Sequence, residues 1–92
     1  MTREELEQTE WAKEFKRDAP ISYAQGIDYA LQDNLEICLR NNCDLGYWVW
    51  SIEVYDNPPF WMDAKETKEE AIELCKQMGW VIVDIGEELF HG

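Results

Sequence analysis

The residues best suited to bind a metal ion are three cysteines and one histidine, Cys38, Cys43, Cys75 and His91. Three thiolates and an imidazole form a known zinc ligand set. None of these cysteines has CxxC spacing, however, and Cys75 falls on an apolar helical stripe, where a cysteine serves as a small hydrophobic residue. The sequence therefore predicts no metal site. An odd number of cysteines without a disulfide framework also favours a reducing compartment, so we expect a cytoplasmic protein.

Catalytic motifs are missing from the sequence. The five glycines are scattered, which excludes phosphate-binding and dinucleotide-binding loops. Neither Ser22 nor Ser51 lies in a Gly-x-Ser-x-Gly elbow, and the single histidine is distant in sequence from both. Residues 56–59 lack the alternating oxygen ligands and the central glycine of a calcium loop. We therefore expect neither an enzyme nor a cofactor.

Charge is the strongest signal in the sequence. Twenty acidic residues stand against eight basic ones in 92 positions, which gives a net charge of −12. Apart from Lys16 and Arg17 the basic residues are single, so no stretch is suited to neutralise nucleic-acid phosphates. A surface this negative is instead attracted to basic grooves, those of nucleic-acid enzymes among them. The sequence predicts a protein partner with a basic surface and no direct nucleic-acid contact.

The candidate partner-binding residues lie in the segment 61–73. Trp61 alternates with Phe60 and Met62, so we expect its side chain to be exposed, and aromatic residues are enriched at interface hot spots. Acidic residues follow it and continue along the polar face of the next helix. The full set is Trp61, Asp63, Glu66, Glu69, Glu70 and Glu73. An alternative stays open, in which these carboxylates only stabilise the helix dipole and keep the protein dissolved.

These features leave three functions open. The first is a small acidic, non-enzymatic binding or inhibitor protein of the phage or bacterial accessory type. It would occupy a basic surface as a nucleic-acid mimic, in a nucleic-acid-handling defence or regulatory complex. The second is a structural or regulatory subunit that packs into a larger assembly through its first helix and its exposed aromatic residues. An enzyme with a carboxylate site comes third.

The sequence predicts that residues 1–92 form a single compact α+β domain. The element order is α-α-β-β-β-α-β, with a mostly antiparallel sheet of three to four strands packed by helices. No apolar run approaches the roughly 20 residues that span a bilayer, so we expect no membrane segment. The strand, capped helix and strand pattern over residues 60–80 is similar to one that recurs in small phage and bacterial proteins of unrelated function, and it implies no family.

The first helix is predicted over residues 3–17, beginning at a capping box of Thr2 and Glu5. On a straight helix Leu6 lies about 180° from Phe15, so the apolar face is thin. We therefore expect this helix to dock by one end or to leave a face for a partner.

The sequence of residues 22–33 is compatible with either a helix or a strand. Ser22 and Gln25 form a second capping box and favour a short helix that Gly26 weakens. Ile27 and its apolar neighbours also alternate, which favours a strand. The sequence leaves this choice open.

The remaining elements follow from changes of apolar period. Residues 35–40 and 48–54 alternate and predict a hairpin joined by a loop over 41–46, and residues 60–63 predict a short edge strand. A helix begins at Thr67 and ends at Gly79, with Leu74 in the middle of its apolar stripe. Residues 80–85 are apolar on both faces, which predicts a central strand.

Overall fold

The computed structural model describes residues 2–44 and 47–86, and for residues 42–44 and 47–48 it describes the backbone alone. In order, the elements are α1 (Arg3–Glu7), α2 (Glu10–Asp18), a 3-10 turn (Pro20–Ser22), α3 (Tyr23–Ala30), β1 (Glu36–Asp44), β2 (Tyr47–Val54), β3 (Phe60–Lys65), α4 (Lys68–Met78) and β4 (Val81–Gly86). The predicted α+β class and the order α-α-β-β-β-α-β are confirmed. Among the described residues, no helix is long and apolar enough to cross a membrane.

The four strands form one sheet in the order β3-β2-β1-β4. β1 pairs antiparallel with β2, and β2 with β3, while β4 lies parallel to β1 because α4 carries the chain back across the sheet. The central position predicted for residues 80–85 is wrong, because β4 is an edge strand. Val81 and Val83 are 41% and 43% exposed, and Ile82 and Ile85 supply the contacts with the core.

The predicted helix over residues 3–17 is in fact two helices. Gln8 ends α1, and the Thr9 hydroxyl then accepts the Ala12 N–H at 3.2 Å, which caps the start of α2. The same hydroxyl donates to the Leu6 carbonyl at 2.7 Å. Thr9 therefore closes one helix and opens the next.

This break changes which side chains reach the core. Leu6, Trp11 and Phe15 are all buried in one cluster, although Leu6 and Phe15 would lie on opposite sides of a straight helix. The expected thin apolar face is therefore wrong. Both halves of the segment dock on the protein itself, and no apolar stripe of α1 or α2 is left for a partner.

Residues 22–33 form a helix and a turn, not a strand. α3 begins at Tyr23, and Asn34 takes a left-handed φ of 54° in the turn before β1. Ser22 makes no capping hydrogen bond, contrary to the predicted capping box, because the preceding 3-10 turn already places its backbone in the helical region. Gly26 is buried beneath Phe15, where a Cβ would lie 2.8 Å from the ring Cζ.

β1 and β2 form the predicted hairpin, but the strands are longer than expected. Backbone pairing continues to Asp44 opposite Tyr47, so residues 41–44 belong to β1 and not to a loop. Cross-strand pairing with β2 outweighs the low strand preference of the asparagines at 41 and 42. The other predicted loop residues, Leu45 and Gly46, lie outside the described residues.

α4 begins and ends where predicted. The Thr67 hydroxyl accepts a backbone N–H of the first turn at 3.1 Å, and Gly79 ends the helix with a φ of 76°. Ala71 and Cys75 are buried, whereas Leu74 is only half-buried. The centre of the buried stripe lies between Ala71 and Cys75, which places Leu74 at its border.

We expect Gly26→Ala to destabilise the protein, although the same change inside an open helix stabilises it by about 0.5–1 kcal/mol. The new methyl group would overlap the Phe15 ring, which Tyr23, Phe60 and Trp61 contact from other sides. The expected loss is about 1–3 kcal/mol in the free energy of unfolding. Urea denaturation followed by circular dichroism measures this loss.

The control for this change is the same substitution in a Phe15→Leu background. A leucine side chain is smaller and can move aside, so Gly26→Ala should be less harmful there. Equal losses in the two backgrounds would rule out the Phe15 contact as the cause.

Substitutions at two leucines distinguish the observed packing from the packing predicted from the sequence. Leu6→Ala should lower the free energy of unfolding by about 2–5 kcal/mol, because Leu6 is fully buried. Leu74→Ala should lower it by about 1 kcal/mol, because the half-buried side chain removes less apolar area from water. Denaturation of both variants under one condition compares them, and a larger loss for Leu74 would contradict this packing.

Candidate protein-interaction surface

Trp61 is an exposed aromatic side chain seated on the buried core. It lies on β3, at the edge of the sheet, and is 40% exposed. Its ring meets the Phe15 ring edge-on, with 5.9 Å between centroids and 79° between planes. Phe15 itself is buried. A large aromatic surface is thus held in place from below and open from above, which is typical of interface anchors.

A hydrogen bond between distant parts of the chain holds α2 against β3. The Trp11 indole N–H donates to the Met62 carbonyl at 2.8 Å, and both side chains are buried. The β2–β3 register shifts opposite Ile52 and Glu53, so Met62 is the extra residue of a bulge in the edge strand. The bulge and the indole together place the first turns of α2 beside the middle of β3.

Asp63 lies where α2 approaches β3. Its side chain is 17% exposed, and burial raises the pKa of its carboxyl above the ordinary value. The negative charges of Glu14 and Asp18 on α2 raise this pKa further, while the Ala64 N–H at 2.7 Å and the Lys65 ammonium at 3.7 Å oppose the rise. The carboxylates of Glu14 and Asp18 therefore lie near enough for their charges to act on Asp63.

The predicted carboxylates of α4 and the turn before it divide into two groups. Glu70 closes the N-terminal capping box, accepting the Thr67 backbone N–H at 3.2 Å and the Thr67 hydroxyl at 3.0 Å. Its position is thus explained by the helix. Glu66, Glu69 and Glu73 are exposed.

A shallow groove connects part of α4 to β3. It has a volume of about 230 Å³ and is lined by Lys65, Glu70, Glu73, Leu74 and Gln77. Lys65 borders this groove and also pairs with Asp63 at 3.7 Å. The predicted site residues Asp63, Glu70 and Glu73 thus share one side of the molecule.

The acidic residues of α2 are not among the site residues predicted from the sequence. Glu10, Glu14 and Asp18 recur every four residues, so they form one stripe along that helix. This spacing was visible in the sequence, but nothing there placed the stripe beside β3. We name the set Glu14, Asp18, Trp61 and Asp63 the acidic β3 edge.

A second groove, of about 530 Å³, contains none of the predicted site residues. Its lining is Cys38, Arg40, Val54, Tyr55, Asp56, Asn57 and Pro59. Arg40 is paired there with Glu53 at 3.2 Å, and Asp56 accepts the Tyr29 hydroxyl at 3.0 Å. Its two charged side chains already have partners within the protein.

The cysteines are buried thiols in the part of the chain that the structure describes. Burial raises the pKa of Cys75 to about 12 and also raises the pKa of Cys38, so both thiols are protonated at neutral pH. The Cys43 side chain and His91 lie outside the described residues. Within the described ranges, no group of three or more His, Cys, Asp or Glu side chains could hold a metal ion.

Comparison with known proteins finds no matching family model, no similar curated protein and no similar solved structure.

The raised pKa of Asp63 predicts a pH dependence of stability. The folded protein holds the Asp63 proton more tightly than the unfolded chain does. The protonated carboxyl therefore contributes its full share to the stability of the fold below the ordinary pKa of 3.8, and this contribution is lost as pH rises through the higher folded pKa. Asp63→Asn has no charge to bury. We expect the free energy of unfolding of the variant, relative to the native protein, to rise as pH increases from below 3.8 through the higher folded pKa.

Urea denaturation at a series of pH values measures this difference. Asp33→Asn is the matched control, because Asp33 is exposed in the turn after α3. A difference that stays constant with pH for Asp63→Asn would mean that the folded structure does not raise the pKa of this carboxyl.

Proposed function

We propose that this protein is a non-enzymatic binding protein whose acidic β3 edge occupies a basic surface on a partner protein. The observation that carries this proposal is Trp61, a 40% exposed aromatic side chain supported by buried Phe15 and flanked by carboxylates of two elements. A fixed aromatic anchor beside a surface of net negative charge combines the two features that give an interface its affinity and its partner choice.

The charge distribution supports a basic partner. The charges of Glu14 and Asp18 act on Asp63, Glu73 lines the groove that Lys65 also borders, and Glu66 and Glu69 are exposed in the same region of the chain. Arg17 pairs with Asp18 and Lys65 pairs with Asp63, so each of these two carboxylates is matched by one cation. The excess negative charge on this side of the protein therefore comes from Glu14 and from the exposed carboxylates of the α4 region. Long-range attraction would then speed the encounter with a positively charged groove.

The class of partner follows from the same charge. Proteins that handle nucleic acid carry basic grooves that match phosphate charge, and rows of carboxylates on a folded surface can occupy them. An inhibitor or regulator of such a complex, of the phage or bacterial accessory type, is the role that we propose. The expected compartment is the cytoplasm, where such complexes act.

The alternative, a subunit of a larger assembly, retains one supporting observation. Besides Trp61, Tyr55 is 60% exposed and Ile21 is 99% exposed, so apolar contacts with another subunit are available. The first helical segment, on which this alternative also relied, instead buries its apolar residues within the domain. Salt dependence separates the two functions, because charge-driven association is screened by salt whereas apolar packing is not.

The test captures the partner from the native host and then measures association and dissociation rates at several salt concentrations. We expect Glu14→Lys with Asp18→Lys to slow association at least tenfold at low salt and to flatten the salt dependence. Glu69→Lys with Glu73→Lys should act in the same direction and leaves the Glu70 cap intact. Trp61→Ala should instead speed dissociation and weaken the binding free energy by roughly 2 kcal/mol, and the salt dependence should stay unchanged.

Glu4→Lys with Asp33→Lys is the matched control. It makes the same change in net charge, at exposed positions on α1 and in the turn after α3. If the control slows association as much as the Glu14 and Asp18 variant does, only net charge matters and the acidic β3 edge is not the binding surface. Unchanged binding in all variants would favour the subunit function.

A further inference from the structure

A large part of the Trp61 indole is open to a ligand. Its contact with Phe15 is edge-on, with 79° between the ring planes, so Phe15 covers at most one of the two ring faces. The side chain as a whole is 40% exposed. The face of an aromatic ring is its negative part, and an indole attracts cations more strongly than the other aromatic side chains do. The exposed part of Trp61 is therefore suited to a cation.

The same aromatic cluster already contains a contact of this kind. Tyr23 also meets the Phe15 ring edge-on, with 6.5 Å between centroids, and the Lys16 ammonium lies 5.5 Å from the centroid of the Tyr23 ring. Tyr23 and Trp61 are thus two rings on one buried support. Tyr23 is half-buried and is occupied by a lysine of its own chain, whereas Trp61 is more exposed. Trp61 is therefore the ring of this pair that a cation from another molecule can reach.

Carboxylates of α2 and β3 lie near this ring. On α2, Glu14 directly precedes Phe15, and Asp18 lies three residues after it, at the spacing of neighbours on a helix surface. On β3, Asp63 lies two residues after Trp61, and the charges of both α2 carboxylates act on it. A cation on the Trp61 ring is thus attracted by carboxylates as well as by the indole.

Two cations of the chain itself pair with these carboxylates. Arg17 Nε lies 3.2 Å from Asp18 Oδ1, and Lys65 Nζ lies 3.7 Å from Asp63 Oδ2. Arg17 and Asp18 are both exposed, and an ion pair of this kind contributes little to stability, so a cation of a partner can replace Arg17 there. The carboxylate of Glu14 adds one negative charge to these two pairs.

We infer that the exposed Trp61 ring and the carboxylates of Glu14 and Asp18 bind an arginine side chain of the partner protein. A guanidinium is planar, so it can stack on an indole while the N–H donors in its plane reach carboxylates. The ammonium of lysine is a compact and strongly hydrated charge that gains less from an aromatic face. This inference rests on the proposed function, because it names the group that the acidic β3 edge recognises.

The probe is a blocked five-residue peptide with one central arginine among glycines and serines, added to the full chain at low salt. Nuclear magnetic resonance measures its dissociation constant from the backbone amide signals of β3. We expect it to bind about fivefold more tightly than the same peptide with a central lysine. A citrulline peptide keeps the planar group without the charge and should bind about tenfold more weakly than the arginine peptide.

Protein variants separate the ring from the carboxylates. Trp61→Leu should abolish the preference for arginine over lysine, and a weak attraction of both peptides to the carboxylates should remain. Glu14→Gln with Asp18→Asn should weaken the binding of both cationic peptides, because the charge that attracts them is removed.

Each variant has a matched control. Tyr55→Leu removes another exposed aromatic ring, one that lies outside the acidic β3 edge, and should leave the preference for arginine unchanged. Glu4→Gln with Asp33→Asn removes two exposed carboxylates on α1 and in the turn after α3, and should leave the binding of both peptides nearly unchanged.

Three results would overturn this inference. They are no detectable binding of the arginine peptide, equal binding of the arginine and lysine peptides, and a preference for arginine that survives Trp61→Leu. Each of them leaves the proposed binding to a basic partner standing. Failure of the proposed function has a different sign, because association with the captured partner would then be indifferent to Glu14→Lys with Asp18→Lys.

Discussion

The hydrogen bond from the Trp11 indole to the Met62 carbonyl joins residues 51 positions apart, and the arrangement of the candidate interaction surface depends on it. A buried indole N–H without a partner is unfavourable by roughly 1–3 kcal/mol, so the position of α2 relative to β3 is well defined. It also removes from the edge strand a free carbonyl that could pair with another chain. The contact thus protects one edge of the sheet and fixes the carboxylates that lie beside it.

Aromatic packing extends this contact into the core. Trp11 meets Trp80 and Phe15 edge-on, at centroid distances of 5.4 and 5.2 Å, and Phe15 in turn supports Trp61. Two local features make this packing possible. The helix break at Thr9 turns Leu6 into the same cluster, and the absence of a side chain at Gly26 lets the Phe15 ring lie against α3. An exposed tryptophan on such a support loses little conformational freedom when it binds a partner.

Local signals in the sequence predicted local structure well. Thr67 and Gly79 bound α4 as their capping preferences indicate, and the alternating residues of β1 and β2 form the expected hairpin. The helix break was not predicted because Thr9 is followed by no capping-box glutamate. A threonine within a helical pattern is common and does not by itself indicate that the helix ends.

The arrangement of the candidate surface required tertiary information. The period of residues 80–85 indicates a strand but cannot say which neighbours it pairs with, so the edge position of β4 was not predictable. The position of the acidic α2 stripe beside β3 and the shielding of Asp63 depend on a bulge in β3 and on the distant Trp11. Trp61 was predicted to be exposed because alternation along β3 is local. The support of Trp61 by Phe15 is a contact between distant parts of the chain, so it was not predictable from this alternation.

The most direct test of this account is a carbon-13 titration of the Asp63 carboxyl in the native protein and in Trp11→Phe. Phenylalanine keeps an aromatic ring in the core but cannot donate to the Met62 carbonyl. If that hydrogen bond holds α2 against β3, the pKa of Asp63 lies above 3.8 in the native protein and falls toward that value in the variant, as the α2 carboxylates and the cover they provide move away. An equally raised pKa in a folded Trp11→Phe protein would contradict the account.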